Sequence, residues 1–470
     1  MRLTRRELVG LAAGSAVAGS GIYALVDRLT AAPARFTAPV PLLPEQHVLQ
    51  ALRIVVSDGI EVFAPPRHSA VVTATLRVDA TRRALADARA LLEHELAQLD
   101  SRFAATPSGL GVTVGWGLPY FERYLAGQAR QRLPLDRRAT RSRGRPVRAL
   151  EAAVRFPSDP DTVILEENDV AVLLRSDSLE HIQQGMEALF GGAGDLFTVS
   201  SIRRGFAGGG FAGGQSLPKQ MAMAANIPGA ESIPDGAELF LGFTSTQKQA
   251  PGRYRITNFE TLGYTDAGPD SYFAHGTHMH LSHLFEDLEA WYGTLTREQR
   301  VDSTFSPGLA IAPGTLTVQQ GPAQAASESD VIRGYWRHGR IGHSASIQPA
   351  SRLQHDVTGP DGTRYAKGTP IPHRADFNTL DHPFAWTRDR ERDGFGERPR
   401  AGLHFVVFNP TSDDFSRGRL AMDGALPSGR TIDVGQRSRQ QGFNDVLATT
   451  HRQNFLVPPR RHRSFPLSEL

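Results

Sequence analysis

The chain has 470 residues, 40% hydrophobic and 21% charged, enough at ~150 residues per domain for about three domains or two larger ones. It contains no Cys, which excludes disulfides, Cys-ligated zinc, iron–sulfur clusters, thiolate-ligated or covalently attached haem and a Cys nucleophile; any metal must be held by His, Met, Tyr or carboxylate. With 52 Lys+Arg against 49 Asp+Glu the formal net charge is +3, too small a surplus for a nucleic-acid footprint.

The amino terminus reads as an export address. Arg5-Arg6 precede an apolar Gly/Ala-rich run from Leu8 to Val26, and Ala32-Pro33-Ala34 offers a small-residue cleavage pattern. The paired arginines resemble a twin-arginine signal, so residues 1–34 are expected to engage the twin-arginine export machinery and deliver the protein to the periplasm or outside the cell. Gly14, Ser15, Gly19, Ser20 and Gly21 interrupt the run, which suits it poorly to a permanent span, and no membrane attachment is expected beyond this segment.

Residues 35–65 form a Pro-rich tether with a short strand at Leu52–Val56. A strand is expected at Ser69–Val78, then a helix capped by Asp79 and running to Leu99. Leu85, Ala88, Leu92, Leu96 and Leu99 recur on one face of that helix, at three- and four-residue steps. Gly111–Trp116 and Asp169–Leu174 read as strands, and Ser178–Phe190 as a second amphipathic helix. The glycine-rich Gly205–Gly214 lacks the Lys-Ser/Thr of a phosphate-binding loop and serves as a connector. The second half repeats the grammar: a short strand at Leu239–Phe243, a strand at Thr277–Leu284 running into a helical Phe285–Tyr292, a strand at Leu403–Phe408 and a helix at Phe415–Met422. Arg460–Arg463 reads as a solvated basic tail. The pattern predicts an α+β protein of two tandem ferredoxin-like domains with antiparallel sheets: residues 66–215, a linker at 216–234, and residues 235–470.

Histidine carries most of the candidate chemistry, with 16 in the chain. His278 and His280 share one face of a strand and, with His283, form a candidate zinc or copper site. A polar strand face is the plainer reading of the same residues. His373 lies in an extended polar stretch, followed by His382 and Trp386, an imidazole and an indole able to wall a flat ligand.

Several segments, taken together and in order, resemble the dye-decolorising (DyP-type) peroxidases. His275–Trp291 is similar to that family's Gly-Gly-Ser-Tyr strand running into an Asp-Leu-x-x-Trp helix, and Leu295–Gln299 to the Glu-Gln segment after it. Gly402-Leu403-His404-Phe405 resembles the Gly-Leu-x-Phe strand, and Phe455–Pro459 the closing Phe-x-x-Pro-Pro. Val112–Gly117 is similar to an early strand-and-glycine motif. The resemblance covers roughly residues 65–460. It implies a dimeric α/β-barrel-like fold and haem b in the carboxy-terminal domain. His373 would be the axial ligand of the haem iron, with Asn378, Phe405 and Trp386 around the cofactor. Hydrogen peroxide and an organic electron donor would be the substrates, and a homo-oligomer is compatible with it.

Two positions depart from the pattern. Ser245 stands where the family's Gly-Phe-x-Asp-Gly places its distal acid, and Asp381–Trp386 lacks the expected distal Arg. Three accounts stay open: Asp266, in Gly263–Gly268, takes the acid's role; His382 serves as distal base; or peroxide chemistry has been lost. The last leaves a non-catalytic haem- or iron-handling envelope protein, or a haem-free His-rich metal binder.

Overall fold

The computed structural model describes residues 23–29, 40–208, 216–244, 247–248, 254–319, 325–380, 399–435 and 440–470. The Arg5-Arg6 segment, Ala32–Ala34, Ser245, His382 and Trp386 lie outside these residues. Among the described residues no helix is long and apolar enough to cross a membrane.

A short helix α1 (Ala24–Leu29) and a hairpin of β1 (Arg53–Ser57) and β2 (Ile60–Ala64) precede the first half. That half runs β3 (His68–Leu76), α2 (Arg82–Arg102), β4 (Gly111–Gly117), α3 (Leu118–Tyr124), α4 (Ala126–Arg132), α5 (Arg137–Arg143), β5 (Ile164–Leu165), β6 (Val170–Ser176), α6 (Leu179–Glu187) and β7 (Phe197–Phe206). Antiparallel pairing gives the order β7-β3-β6-β4, the βαββαβ arrangement of a ferredoxin-like unit. Helix α2 starts later than Asp79 suggested, because the Thr81 hydroxyl accepts from the Ala84 N–H and makes Thr81 the cap. Its predicted apolar stripe is the buried one, packed on the outer face of the sheet.

After α7 (Leu217–Ala224), which lies in the stretch expected to be a linker, the second half runs β8 (Thr277–Glu286), α8 (Arg297–Thr304), α9 (Glu328–His338) and α10 (His343–Ser351). There follow β9 (Val357–Thr358), β10 (Arg364–Tyr365), β11 (His373–Arg374), β12 (Phe377–Thr379), β13 (Gly402–Asn409), α11 (Ser412–Met422) and β14 (Leu447–Val457). Its order, β12-β13-β8-β14, repeats the ferredoxin-like sheet. Two expectations are corrected. Leu239–Phe243 is not a strand; its residues turn, with the Leu241 carbonyl held by the Trp291 indole N–H at 3.0 Å. Phe285 and Glu286 extend β8 instead of opening a helix, because they pair with Gly402 and Leu447 on both sides.

The two sheets meet edge to edge twice, β7 with β12 through Phe206 and Asn378, and β4 with β14 through Trp116 and Leu456. Eight strands therefore close into a ring. Its interior is filled by alternate residues of both halves, including Val71, Leu173, Met279, Leu281, Phe408 and Phe455. The β7–β12 seam depends on Gly205, where a Cβ would fall 2.0 Å from the Asn378 carbonyl oxygen. Gly205→Ala is expected to cost about 1–3 kcal/mol or more, read as a lower urea midpoint, because the seam has no room to relax.

The carboxy terminus is docked, not solvated. Phe465 and Leu467 are fully buried, Trp116 donates to the Arg463 carbonyl, and Arg463 pairs with Glu93 at 2.7 Å and Asp100 at 2.8 Å. The apolar residues that follow the basic run pull it down, and carboxylates of α2 receive its charge.

Candidate functional site

Strand alternation sends odd residues of β13 and even residues of β8 to the outer face of the second sheet, where α10 and α11 arch over them. The arch leaves a cavity with about 1880 Å³ of empty space, part of it open to solvent. Its walls are largely apolar, with Leu241, Phe243, Phe305, Ile347, Phe405 and Phe443 among them.

One imidazole on α10 lines this cavity. His343 is the first residue of that helix, held by two close backbone approaches. A Cβ on Gly342 would lie 2.4 Å from the Phe305 carbonyl oxygen, and one on Gly442 would lie 3.2 Å from His343 itself. The ring stacks on Phe443 at 4.5 Å, and its Nδ1 is buried with no hydrogen-bond partner. Burial, with the charges of Arg374 and Arg419, pushes its pKa down to about 3. The ring is thus neutral at physiological pH, the form that binds a metal ion.

Arg374 also lines the cavity, as the outward residue of β11 beside Val407. Its guanidinium lies over the Phe405 ring at 5.4 Å and grips Asp376 through two bonds of 3.0 and 2.7 Å. At the other end Arg452 donates to Asp159 at 2.5 Å, and Arg419 pairs with Asp423 at 2.9 Å. Glu286, at the end of β8, adds a buried carboxyl whose pKa burial raises to about 8, helped by the charge of Asp376.

The residues singled out from sequence are scattered. His373 is directly opposite Phe408 on β13 and shares its inward face, with ring centroids 6.1 Å from both Phe408 and His47; it lines no part of the cavity. The next residue, Arg374, takes the outward position because successive strand residues alternate. Asn378 is a structural tie, accepting from the Phe240 N–H at 3.3 Å and donating to the carbonyls of Phe206 and Glu238. Phe405 does line the cavity. Asp266 is exposed and accepts from the Leu135 N–H at 2.7 Å, on a surface loop away from the cavity.

The histidine-rich strand is split by the same alternation. His278 and His280 face outward, whereas His283 faces inward, 4.9 Å from the His404 ring. His280 is occupied by Asn454 at 2.7 Å and Ser282 at 2.5 Å, and stacks on Phe415. Among the described residues no group of three or more His, Asp or Glu is placed to hold a metal ion.

These buried imidazoles set the response to acid. Burial pushes His278 down to about 4, and His343 lower still. Below pH ~6.5 the unfolded chain takes up protons that the folded one refuses, so their contribution to stability is complete above that pH and declines as pH falls toward 4. The expected loss is on the order of 3 kcal/mol for His278 alone. Urea midpoints at pH 7, 5.5 and 4 read it, and His278→Leu should flatten the decline.

Sequence reasoning passed over His343, Arg374 and Glu286. Arg374 was one residue from the histidine singled out. For His343 the usable signal was an imidazole directly after a glycine at a helix start.

The profile of a family of unknown function, DUF7405, matches residues 66–459. No curated protein sequence matches the chain. Among solved structures it is similar to the DyP-type peroxidase from Cellulomonas bogoriensis, at 17% identity and a TM-score of 0.50, over 89% of this chain and 96% of that one. It is also similar to the encapsulated DyP-type peroxidase from Mycobacterium smegmatis, at 14% identity and a TM-score of 0.50, over 90% and 98% of the two chains. At these identities the likeness is one of fold.

Proposed function

We propose that this member of the DUF7405 family is a haem-binding oxidoreductase that uses hydrogen peroxide to oxidise an organic donor. The observation that carries this reading is the apolar cavity of the second ferredoxin-like half, with a neutral imidazole, His343, and a guanidinium, Arg374, on its walls. The residues fit a haem: a flat apolar ligand suits the walls, and the buried Nδ1 without a partner marks a ring held in place by packing rather than by hydrogen bonds. On this reading His343 would hold the haem iron, in place of His373.

A bound haem supplies the redox equivalents for cleaving peroxide. Around it, His343 would hold the iron and Arg374 would stabilise negative charge developing on the departing oxygen. The Asp376 carboxylate keeps that guanidinium oriented through its two bonds. The Phe243, Phe305 and Phe405 rings exclude water from the site. Export by the twin-arginine route, supported by Arg5-Arg6 and the apolar run after it, would place this chemistry in the periplasm or outside the cell.

The test is reconstitution with haem followed by addition of hydrogen peroxide. A Soret band that shifts with peroxide, and then returns with an organic donor, is the expected result. Arg374→Leu should slow the shift ~10²–10³-fold while leaving the band itself intact. A wild-type protein without a Soret band refutes the reading.

A further inference from the structure

We propose that Glu286 is the acid–base residue of the cavity, in the role that Ser245 has no carboxyl to fill; this rests on the haem reading above. Glu286 is the last outward residue of β8, following Ser282 and Leu284 along the cavity wall. It is 7% exposed, and its Oε2 is buried with no hydrogen-bond partner. A lone carboxyl oxygen in such a place carries a large desolvation cost unless the group is protonated or a ligand meets it.

Two groups feel its charge, Tyr292 and Asp376. Leu239, Leu241 and Thr244 of the turn before β8 line the same cavity. Tyr292, whose phenol donates to the Phe240 carbonyl at 2.6 Å, senses the charge of Glu286. Asp376 also couples electrostatically to Glu286 and is bonded to Arg374. Among the described residues the titratable groups that couple to Glu286 are Asp376, itself bonded to Arg374, and Tyr292. Burial is the larger cause of the raised pKa and Asp376 the smaller, and together they bring it to about 8, close to working pH and suited to both halves of a proton transfer.

The transfer conserves its proton. The Glu286 carboxylate takes it from the peroxide oxygen that becomes negatively charged, and the resulting acid gives it to the other oxygen, which departs as water when the O–O bond breaks. A bound haem would supply the two electrons for that cleavage.

The experiment compares wild type, Glu286→Gln and Glu286→Asp after haem reconstitution. All three should show the Soret band. In wild type the peroxide-induced shift should accelerate with rising pH and level off above about pH 8, as the carboxylate form accumulates. Glu286→Gln should lose that limb and be slower by ~10²–10⁴-fold, and Glu286→Asp should recover part of the rate. A second readout needs no haem: the infrared carbonyl band of a protonated carboxyl, present at pH 7, fading above pH 8, and missing from Glu286→Gln. A Soret band in every protein with an unchanged rate in Glu286→Gln overturns the role of Glu286 alone. No Soret band in wild type overturns the haem reading, and the peroxide role of Glu286 with it. A protein without the infrared band overturns the account of a carboxyl held protonated in the cavity.

Discussion

Replacing His343 by alanine abolishes the Soret band of the haem-reconstituted protein, and replacing His373 leaves it in place: this is the expected result with the largest effect. The two histidines differ in which side of the barrel they occupy. His373 shares the inward face of Phe408, separated from the cavity by the sheet itself, and no side-chain rotation takes it through a hydrogen-bonded sheet. His343 stands on the covering helix, already desolvated and neutral, so ligation needs no proton to be removed at neutral pH. The alanine variant leaves a hole on the cavity side and removes a ring stacked on Phe443, so folding is checked separately by circular dichroism. Added imidazole should enter that hole and restore the band, which a merely unfolded protein would not permit. A band lost in His373→Ala and kept in His343→Ala would reverse the assignment.

Breaking the Arg203–Glu166 pair is expected to destabilise the fold by about 3–5 kcal/mol, measured by urea unfolding at pH 7. Arg203 is wholly buried inside the ring of strands and meets both Glu166 oxygens through one nitrogen, at 2.5 and 2.6 Å; its Nε also reaches Ser201. Arg203→Met removes one charge and strands the other, leaving a nearly buried carboxylate without its cation. The double variant Arg203→Met, Glu166→Leu should recover most of the loss, because the cost lies in the uncompensated charge rather than in the missing pair. Equal losses in the single and double variants would show that the pair itself supplies the stability.

Much of the fold was legible in the residues. The stripe Leu85, Ala88, Leu92, Leu96 and Leu99 is the buried face of α2, and the strands expected at Ser69–Val78, Gly111–Trp116, Asp169–Leu174 and Leu403–Phe408 form at His68–Leu76, Gly111–Gly117, Val170–Ser176 and Gly402–Asn409. Such features are decided within a few residues, by periodicity and by caps such as Thr81. The turn at Leu239–Phe243 was illegible because an apolar run of five reads equally well as a strand. Its backbone is instead claimed by Trp291 and Tyr292, some fifty residues away.

The candidate site shows the same division more sharply. An α+β chain of two similar halves is written in the residues, and the absence of Cys leaves any metal to His, Met, Tyr or carboxylate. The resemblance to the DyP-type peroxidases sets Ser245 where that family's pattern carries an acid. Which histidine reaches the cavity was decided only by the tertiary structure. Inward and outward faces exist only once β7 meets β12 and β4 meets β14 to close the ring. With closure, a step of one residue along β11 separates His373 in the interior from Arg374 in the cavity. Pairing of β8 and of β11 with β13 brings Glu286 within electrostatic reach of Asp376, ninety residues further along the chain. Local periodicity specifies that neighbouring strand residues point apart, but long-range pairing alone specifies what lies on each side.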